Sequence, residues 1–174
     1  SYEKALDIPQ ALLLTATATK KVKLDMAAKF NIAEHAIIQT GFYRSNLNLH
    51  VLAVAEDQKK SELQALVARY QSASGIVYVT LQHTAEQVAS FLQQAGINAC
   101  AYHAGMKNED RTRIQDGFMR GELPLVVATI AFGMGVDKAD IRYVVHYDLP
   151  KSIENYSQEI GRAGRDGLSS DCFV

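Results

Sequence analysis

Short apolar runs alternate with amphipathic helical patterns from residue 48 onward, and this alternation constrains the fold more than any other feature of the sequence. Strands are predicted at 49–55, 76–79, 99–102, 125–129, 143–147 and 172–174. Apolar strands separated by helices are typical of a parallel sheet that is covered on both faces. Because such sheets bind ligands at the carboxyl ends of their strands, the loops after Val79, Tyr102, Thr129 and Tyr147 are the predicted binding loops.

Helix start and stop signals lie between the predicted strands. The first of these helices has one apolar face, formed by Leu63, Leu66, Val67 and Tyr70. The predicted N-caps are Asp57, Thr84 (in a capping box with Gln87), Asn108 and Ser152. The predicted helix ends are Gly96, Gly121 and Gly161. The last helix is predicted to bury Ile153, Tyr156 and Ile160.

The first 47 residues follow a different pattern. An apolar strand is predicted at 11–14, followed by alternating Thr and Ala, and then by a Lys-rich helix from Lys20 to about Phe30. One strand and one helix are too little to form a separate core.

Composition excludes several classes of protein. With 18 Lys and Arg against 19 Asp and Glu, the net charge is −1, which argues against binding of nucleic acid through bulk charge but leaves a local basic site possible. Two cysteines are too few for a disulfide scaffold or a four-cysteine zinc site. The most apolar run, 123–136, is too short to span a membrane. These features, together with the absence of an apolar leader in residues 1–10, predict a reduced, intracellular protein.

The segment from Gln158 to Gly167 is the sharpest motif, because it places Arg162 and Arg165 among glycines at a predicted helix end. Arginine binds phosphate bidentately, and glycine lets a backbone approach a ligand closely. A glycine-rich helix end with solvated arginines explains the same spacing equally well.

Two further segments follow predicted strands. Residues 126–137 deliver Thr129, two glycines and Asp137 to the binding edge. A tight turn explains the glycines equally well, and capping a turn is the commoner role of such an aspartate. Residues 102–105 place a single histidine at the same edge, where a structural role is the commoner one. The sequence has no phosphate loop and no adjacent Asp-Glu pair for Mg²⁺, which suggests half of a composite phosphate site.

At these residues the chain resembles the RecQ family of superfamily-two DNA helicases, over nearly its whole length. The resemblance rests on five ordered segments. Thr15-Ala16-Thr17-Ala18 is similar to motif III, and 42–47 to the inter-lobe segment. Residues 102–105 are similar to the His-Ala-Gly turn, 128–138 to motif V and 158–167 to motif VI.

The resemblance implies an ATP-driven 3′-to-5′ DNA helicase, in which two RecA-like three-layer α/β/α lobes clamp ATP between them. It assigns residues 42–174 to the second lobe, and residues 1–41 to a remnant of the first lobe with a linker. The first lobe would hold the phosphate loop and the acid that binds Mg²⁺, so this chain alone is expected to be inactive and to bind no metal. Its expected partners are DNA, ATP and the first lobe, with no membrane, in a bacterial cytoplasm or a nucleus.

The resemblance also implies residue roles. Arg165 matches the arginine finger, with Arg162 and Gln158 as neighbours that face the nucleotide. The implied nucleotide contacts are Gly133, Gly135 and Asp137. The implied contacts to DNA phosphates are Thr80, His103, Ala104, Gly105 and Thr129. The implied coupling residues, which would link ATP state to lobe movement, are Thr15, Thr17 and Arg44.

Two departures from the family pattern stand out. Ser45 replaces a usual proline, which predicts a looser hinge, and Thr80-Leu81-Gln82 stands where many members have Asn-Ser-Arg. Because Leu81 cannot bond a phosphate and Gln82 carries no charge, an altered DNA contact is expected here. Three other functions remain open: a RecA-like binding module, an RNA helicase or duplex translocase, and an ordinary nucleotide-binding enzyme.

Overall fold

The computed structural model describes residues 12–15, 18–38, 43–71, 73–133 and 135–174. The chain divides into two compact units, Ser1–Tyr43 and Arg44–Val174. In the first unit, helix α1 spans Lys20–Lys29, and a single 3₁₀ turn spans Glu34–Ala36. The α1 helix begins where predicted, because the Thr19 hydroxyl accepts a hydrogen bond from the backbone N–H of Val22 at 3.3 Å.

The strand predicted at 11–14 is wrong for residues 12–14, which lie in no strand; residue 11 is outside the described residues. An apolar run forms a strand only where another strand pairs with its backbone groups. The described residues of the first unit contain no strand that could do so.

The second unit is built on a six-stranded sheet in which all neighbouring strands are parallel. Strands β1 to β6 span Leu47–His50, Ser74–Tyr78, Ala99–Tyr102, Leu125–Ala128, Ile141–His146 and Ser170–Phe173. Their order across the sheet is β1-β6-β5-β2-β4-β3. The predicted α/β class is confirmed, and the carboxyl ends of β5, β2, β4 and β3 lie side by side along one edge.

Helices cover both faces of this sheet. The helices α2 to α5 span Lys59–Ala68, Gln82–Gln94, Asn108–Arg120 and Ile153–Ile160. Because successive strand residues point to opposite faces, each inner strand contributes to two buried clusters: Val77 packs with the apolar residues of α2 and α3, and Ile76 packs with those of α4. The result is three layers. No helix in the described ranges is long and apolar enough to cross a membrane.

Several predicted boundaries are wrong. The first strand ends at His50, because its register with β6 stops there. Two further backbone bonds, from Val174 N to His50 O at 2.9 Å and from Leu52 N to Val174 O at 2.7 Å, continue the contact. The helices α2, α3 and α4 begin after Gln58, Leu81 and Lys107, none of which makes a side-chain capping bond. Asp57, Thr84 and Asn108 are therefore not N-caps: Asp57 precedes the observed cap, Thr84 lies inside α3, and Asn108 is the first residue of α4.

Other local predictions are confirmed. The Ser152 hydroxyl accepts from Asn155 N at 3.2 Å and caps α5. Gly121 ends α4 in the left-handed region with φ +77°, a conformation that glycine adopts without strain. On α5 the predicted apolar face is partly wrong, since Ile153 is 83% exposed and Glu159 is buried in its place.

Candidate functional site

The two arginines of the glycine-rich segment lie directly after α5 and reach the loop after β4. Arg162 Nη1 donates to the carbonyl oxygen of Gly133 at 2.5 Å. Arg165 Nη1 donates to the carbonyl oxygen of Val136 at 3.5 Å and to Oδ1 of Asp137. The two segments that the sequence singled out separately therefore meet at the carboxyl edge of the sheet.

Gly133 is necessary for this contact. A Cβ atom on Gly133 would lie 2.3 Å from Nη2 and 2.5 Å from Cζ of Arg162, so a side chain and the guanidinium cannot share the space. Arg162 Nε is buried and makes no hydrogen bond within the described structure. The guanidinium is thus held against the backbone with donors to spare, which suits an anionic ligand.

Arg165 and Asp137 form a more exposed pair. The side chain of Asp137 is 87% exposed and that of Arg165 is 35% exposed. Exposed ion pairs are weak, so both groups are accessible to a ligand. Gly135 lies between Gly133 and Asp137, which contact the two arginines, and has φ +88°, a conformation that a residue with a side chain rarely adopts.

The side chains of Arg44 and Asn46 bind backbone carbonyls of the glycine-rich segment and hold it in place. Arg44 Nη2 donates to the carbonyls of Ala163, at 3.0 Å, and of Gly164, and its Nη1 donates to Gly161 O at 3.4 Å. Asn46 Nδ2 donates to Gly164 O at 2.8 Å and to a second carbonyl further along the loop at 2.9 Å. These bonds fix the backbone from which Arg162 and Arg165 project.

A second group of predicted residues follows β2, β3 and β4. The Thr80 backbone N–H and hydroxyl both donate to Oδ2 of Asp148, at 2.8 and 3.0 Å. His103 is buried, with Nε2 3.1 Å from Oε1 of Glu86, and its Nδ1 is buried without a partner in the described part of the chain. Ala104 and Gly105 are exposed beside it. The Thr80 hydroxyl is thus already engaged as a donor.

The other predicted residues are placed as follows. Thr129 is 8% exposed, one residue beyond β4. Gln158 is exposed on α5. Thr15 is exposed in the first unit, and Thr17 lies outside the described residues. Among the residues that the structure describes, no three His, Cys, Asp or Glu side chains are grouped so that they could hold a metal ion.

Sequence reasoning missed a buried polar group behind the arginines. His146 Nε2 lies 2.7 Å from Oε2 of Glu159, with side chains 1% and 9% exposed. The His146 ring stacks on Tyr78 at 5.6 Å. Burial raises the pKa of Tyr78 to about 12, and the charge of Arg162 acts in the opposite direction. The signal available in the sequence was Glu159, a charged residue on a helix with a buried face.

A three-layer parallel sheet whose carboxyl edge carries these arginines and glycines has the architecture of a RecA-like lobe. The model of the helicase conserved C-terminal domain matches residues 58–167, and the chain belongs to this family.

Relatives with helicase names match almost the whole chain. A putative ATP-dependent DNA helicase Q1 of Caenorhabditis briggsae is 43% identical, over 92% of this chain and 26% of its own length. The ATP-dependent DNA helicase RecQ of Bacillus subtilis is 40% identical, over 99% of this chain and 29% of its own length. The predicted resemblance to the RecQ family is confirmed, and the chain spans about a quarter of the length of these relatives.

Solved structures agree on the fold. The E. coli DEAD-box protein SrmB, bound to RraA, superposes with a TM-score of 0.68 at 25% identity, covering 75% of this chain and 77% of that chain. S. cerevisiae Dbp5, bound to RNA and ADP BeF3, superposes with a TM-score of 0.76 at 24% identity, covering 92% and 44%. The predicted RecA-like architecture is therefore confirmed.

Proposed function

We propose that this chain is the second motor lobe of an ATP-dependent 3′-to-5′ DNA helicase of RecQ type. The observation that carries the proposal is the meeting of Arg162 and Arg165 with the loop that contains Gly133 and Asp137. Relatives named ATP-dependent DNA helicases, at 40 to 43% identity, support DNA as the substrate. In this proposal residues 42–174 form the lobe, and residues 1–41 belong to the first lobe and its linker.

The arginines would act on the nucleotide. ATP supplies the γ-phosphoryl group whose transfer to water drives the motor, and the first lobe would hold it together with Mg²⁺. Arg165 is the proposed finger, because its guanidinium is held by an exposed carboxylate and by a long bond of 3.5 Å to the Val136 carbonyl, and can turn to a phosphate. Arg162 adds a second, fixed positive charge, and Gln158 is exposed on the preceding turn. A finger of this kind is worth about 10³–10⁵ in rate.

The fixed backbone of the site matters because donors that are already oriented need no reorganisation during the reaction. Arg44 holds three carbonyls of the segment that carries both arginines. We therefore assign Arg44 to the support of this segment as well as to coupling between the lobes. Thr15 and Thr17 belong to the same coupling proposal.

The proposed DNA track is a row of residues that follow β2, β3 and β4: Thr80, His103, Ala104, Gly105 and Thr129. Ala104 and Gly105 expose backbone at this edge, and Thr80 can contact a phosphate only by changing its bonds to Asp148. A grip on the sugar-phosphate backbone makes binding tolerant of sequence and sensitive to salt. A DNA substrate also sets the expected location, a bacterial cytoplasm or a nucleus.

The decisive experiment replaces Arg165 in the intact protein. Arg165→Ala should lower DNA-stimulated ATP turnover by about 10³-fold or more while nucleotide binding persists. Arg113→Ala is the matched control, since Arg113 is 77% exposed on α4 and pairs only with Asp110 among described residues. Near-normal turnover of the Arg165 variant would refute the finger. Strand displacement on RNA but not on DNA forks would refute the substrate.

A further inference from the structure

A buried tyrosine links the loop after β4 to the first of the two arginines. Tyr78 is the last residue of β2 and is 3% exposed. Its hydroxyl donates to the carbonyl oxygen of Phe132 at 3.2 Å. The next residue, Gly133, accepts the hydrogen bond of Arg162. The Tyr78 hydroxyl thus anchors the loop whose backbone receives the arginine.

The same hydroxyl lies within the electrostatic influence of the arginine. Burial raises the pKa of Tyr78 to about 12, while the positive charge of Arg162 acts in the opposite direction. At neutral pH the phenol therefore keeps its proton. As a neutral hydroxyl it remains a donor to the Phe132 carbonyl, next to the carbonyl that accepts from Arg162.

The ring of Tyr78 packs against the buried pair of His146 and Glu159. His146 stacks on it with an interplanar angle of 23°, and His146 Nε2 lies 2.7 Å from Oε2 of Glu159. Glu159 is three residues before Arg162 on the same segment, so the ring and the arginine share one support. Both members of the pair are buried, which restricts movement of the ring.

We propose that Tyr78 is a positioning residue for Arg162. Its hydroxyl fixes the loop at Phe132 and Gly133 and leaves the guanidinium one orientation toward the ligand. An arginine side chain that is free to rotate loses rotamer entropy when a ligand orders it. Holding it in advance removes part of that loss. The nucleotide as ligand rests on the function proposed above; the positioning itself does not.

The first test needs no nucleotide. In the ¹⁵N-labelled chain of 174 residues, NMR measures how fast the Nε proton of Arg162 exchanges with water. Tyr78→Phe keeps the ring but removes the hydrogen bond to the Phe132 carbonyl. The loosened loop should raise this rate about three- to tenfold, the equivalent of that one bond. Tyr143→Phe is the matched control, because Tyr143 is equally buried on β5 but belongs to the opposite core cluster. An unchanged rate in the Tyr78 variant overturns the proposal.

The second test is a double-mutant cycle on DNA-stimulated ATP turnover of the intact protein. Tyr78→Phe should lower turnover about three- to tenfold, and it should have no further effect in an Arg162→Lys background. Equal effects in both backgrounds would mean that Tyr78 does not act through Arg162 and would overturn the proposal. If the unaltered protein shows no turnover, the proposed function fails, and the exchange rate still decides the positioning.

Discussion

Replacement of Arg44 tests whether the glycine-rich segment is held by this side chain. Arg44→Ala removes bonds to three carbonyls, of which the one to Gly161 is long at 3.4 Å. The Gly164 carbonyl keeps the bond from Asn46 at 2.8 Å, so the buried Ala163 carbonyl is the group left without this donor. Hydrogen bonds from a charged donor contribute about 1.5–3 kcal/mol, and an unsatisfied buried group costs about 1–3 kcal/mol. We expect a loss of about 2–4 kcal/mol in the free energy of unfolding.

Urea denaturation of the chain, followed by circular dichroism, measures this loss. Arg44→Lys should recover only part of it, because an ammonium group cannot reach several carbonyls with a fixed fork. Arg113→Ala, which removes an exposed arginine and its single ion pair, should change the free energy of unfolding by less than about 1 kcal/mol. A loss for Arg44→Ala no larger than that of the control would refute the reasoning.

Two further substitutions follow from the same contacts. Gly133→Ala should displace the Arg162 guanidinium and lower ATP turnover of the intact protein about tenfold. The free energy of unfolding should change by less than about 1 kcal/mol, because the atoms that a Cβ would meet lie at the end of the flexible Arg162 side chain. The second substitution is at Asp171, whose carboxylate should contribute less to the stability of the fold in acid. Burial raises the pKa of its carboxyl, but the bonds from His50 and Tyr70 outweigh burial and hold the pKa below its ordinary value. This stabilisation is therefore present above about pH 4 and is lost as the pH falls through the lowered pKa. Asp171→Asn should cost about 1–2 kcal/mol at pH 7 and less at pH 3.

Gly133→Ala and Asp171→Asn each have a control variant. Gly96→Ala places a side chain at φ +81° in open space, so it should reduce stability by about 1 kcal/mol without affecting turnover. If Gly133→Ala leaves turnover intact, the close contact with Arg162 has no functional weight. For the acid effect, the control is Asp116→Asn on the exposed side of α4, which should change the free energy of unfolding by less than about 0.5 kcal/mol. A difference between Asp171→Asn and the unaltered chain that stays constant from pH 7 to pH 3 contradicts the assignment.

Much of the fold was accessible from the sequence, because burial on both faces leaves a continuous apolar run. The strand at Ala99–Tyr102 was predicted to the residue, and the strands at 76–79 and 125–129 to within two residues. The predicted strand at 11–14 shows the limit of this reasoning. An apolar run indicates what a segment can bury, but pairing depends on a neighbour that is distant in sequence.

For the site, local pattern and resemblance named the two arginines, Gly133 and Asp137, each as a separate candidate with a plausible structural alternative. Only the tertiary structure brings them together, because the sheet order places β4 and the segment after α5 at one edge across about thirty residues of chain.

The sequence by itself determined the class of fold, and it predicted the edge of the sheet proposed to bind ligands and most of the side chains that the structure places there. The tertiary structure decided which of these groups touch. It showed that Arg44 supports the segment of both arginines, that Thr80 is engaged by Asp148, and that Glu159 is buried against His146. Hydrogen bonds between residues that lie 13, 68 or 120 positions apart leave no periodic trace in a sequence. Apolar periodicity does leave such a trace, because every strand and helix has a face that is buried from water.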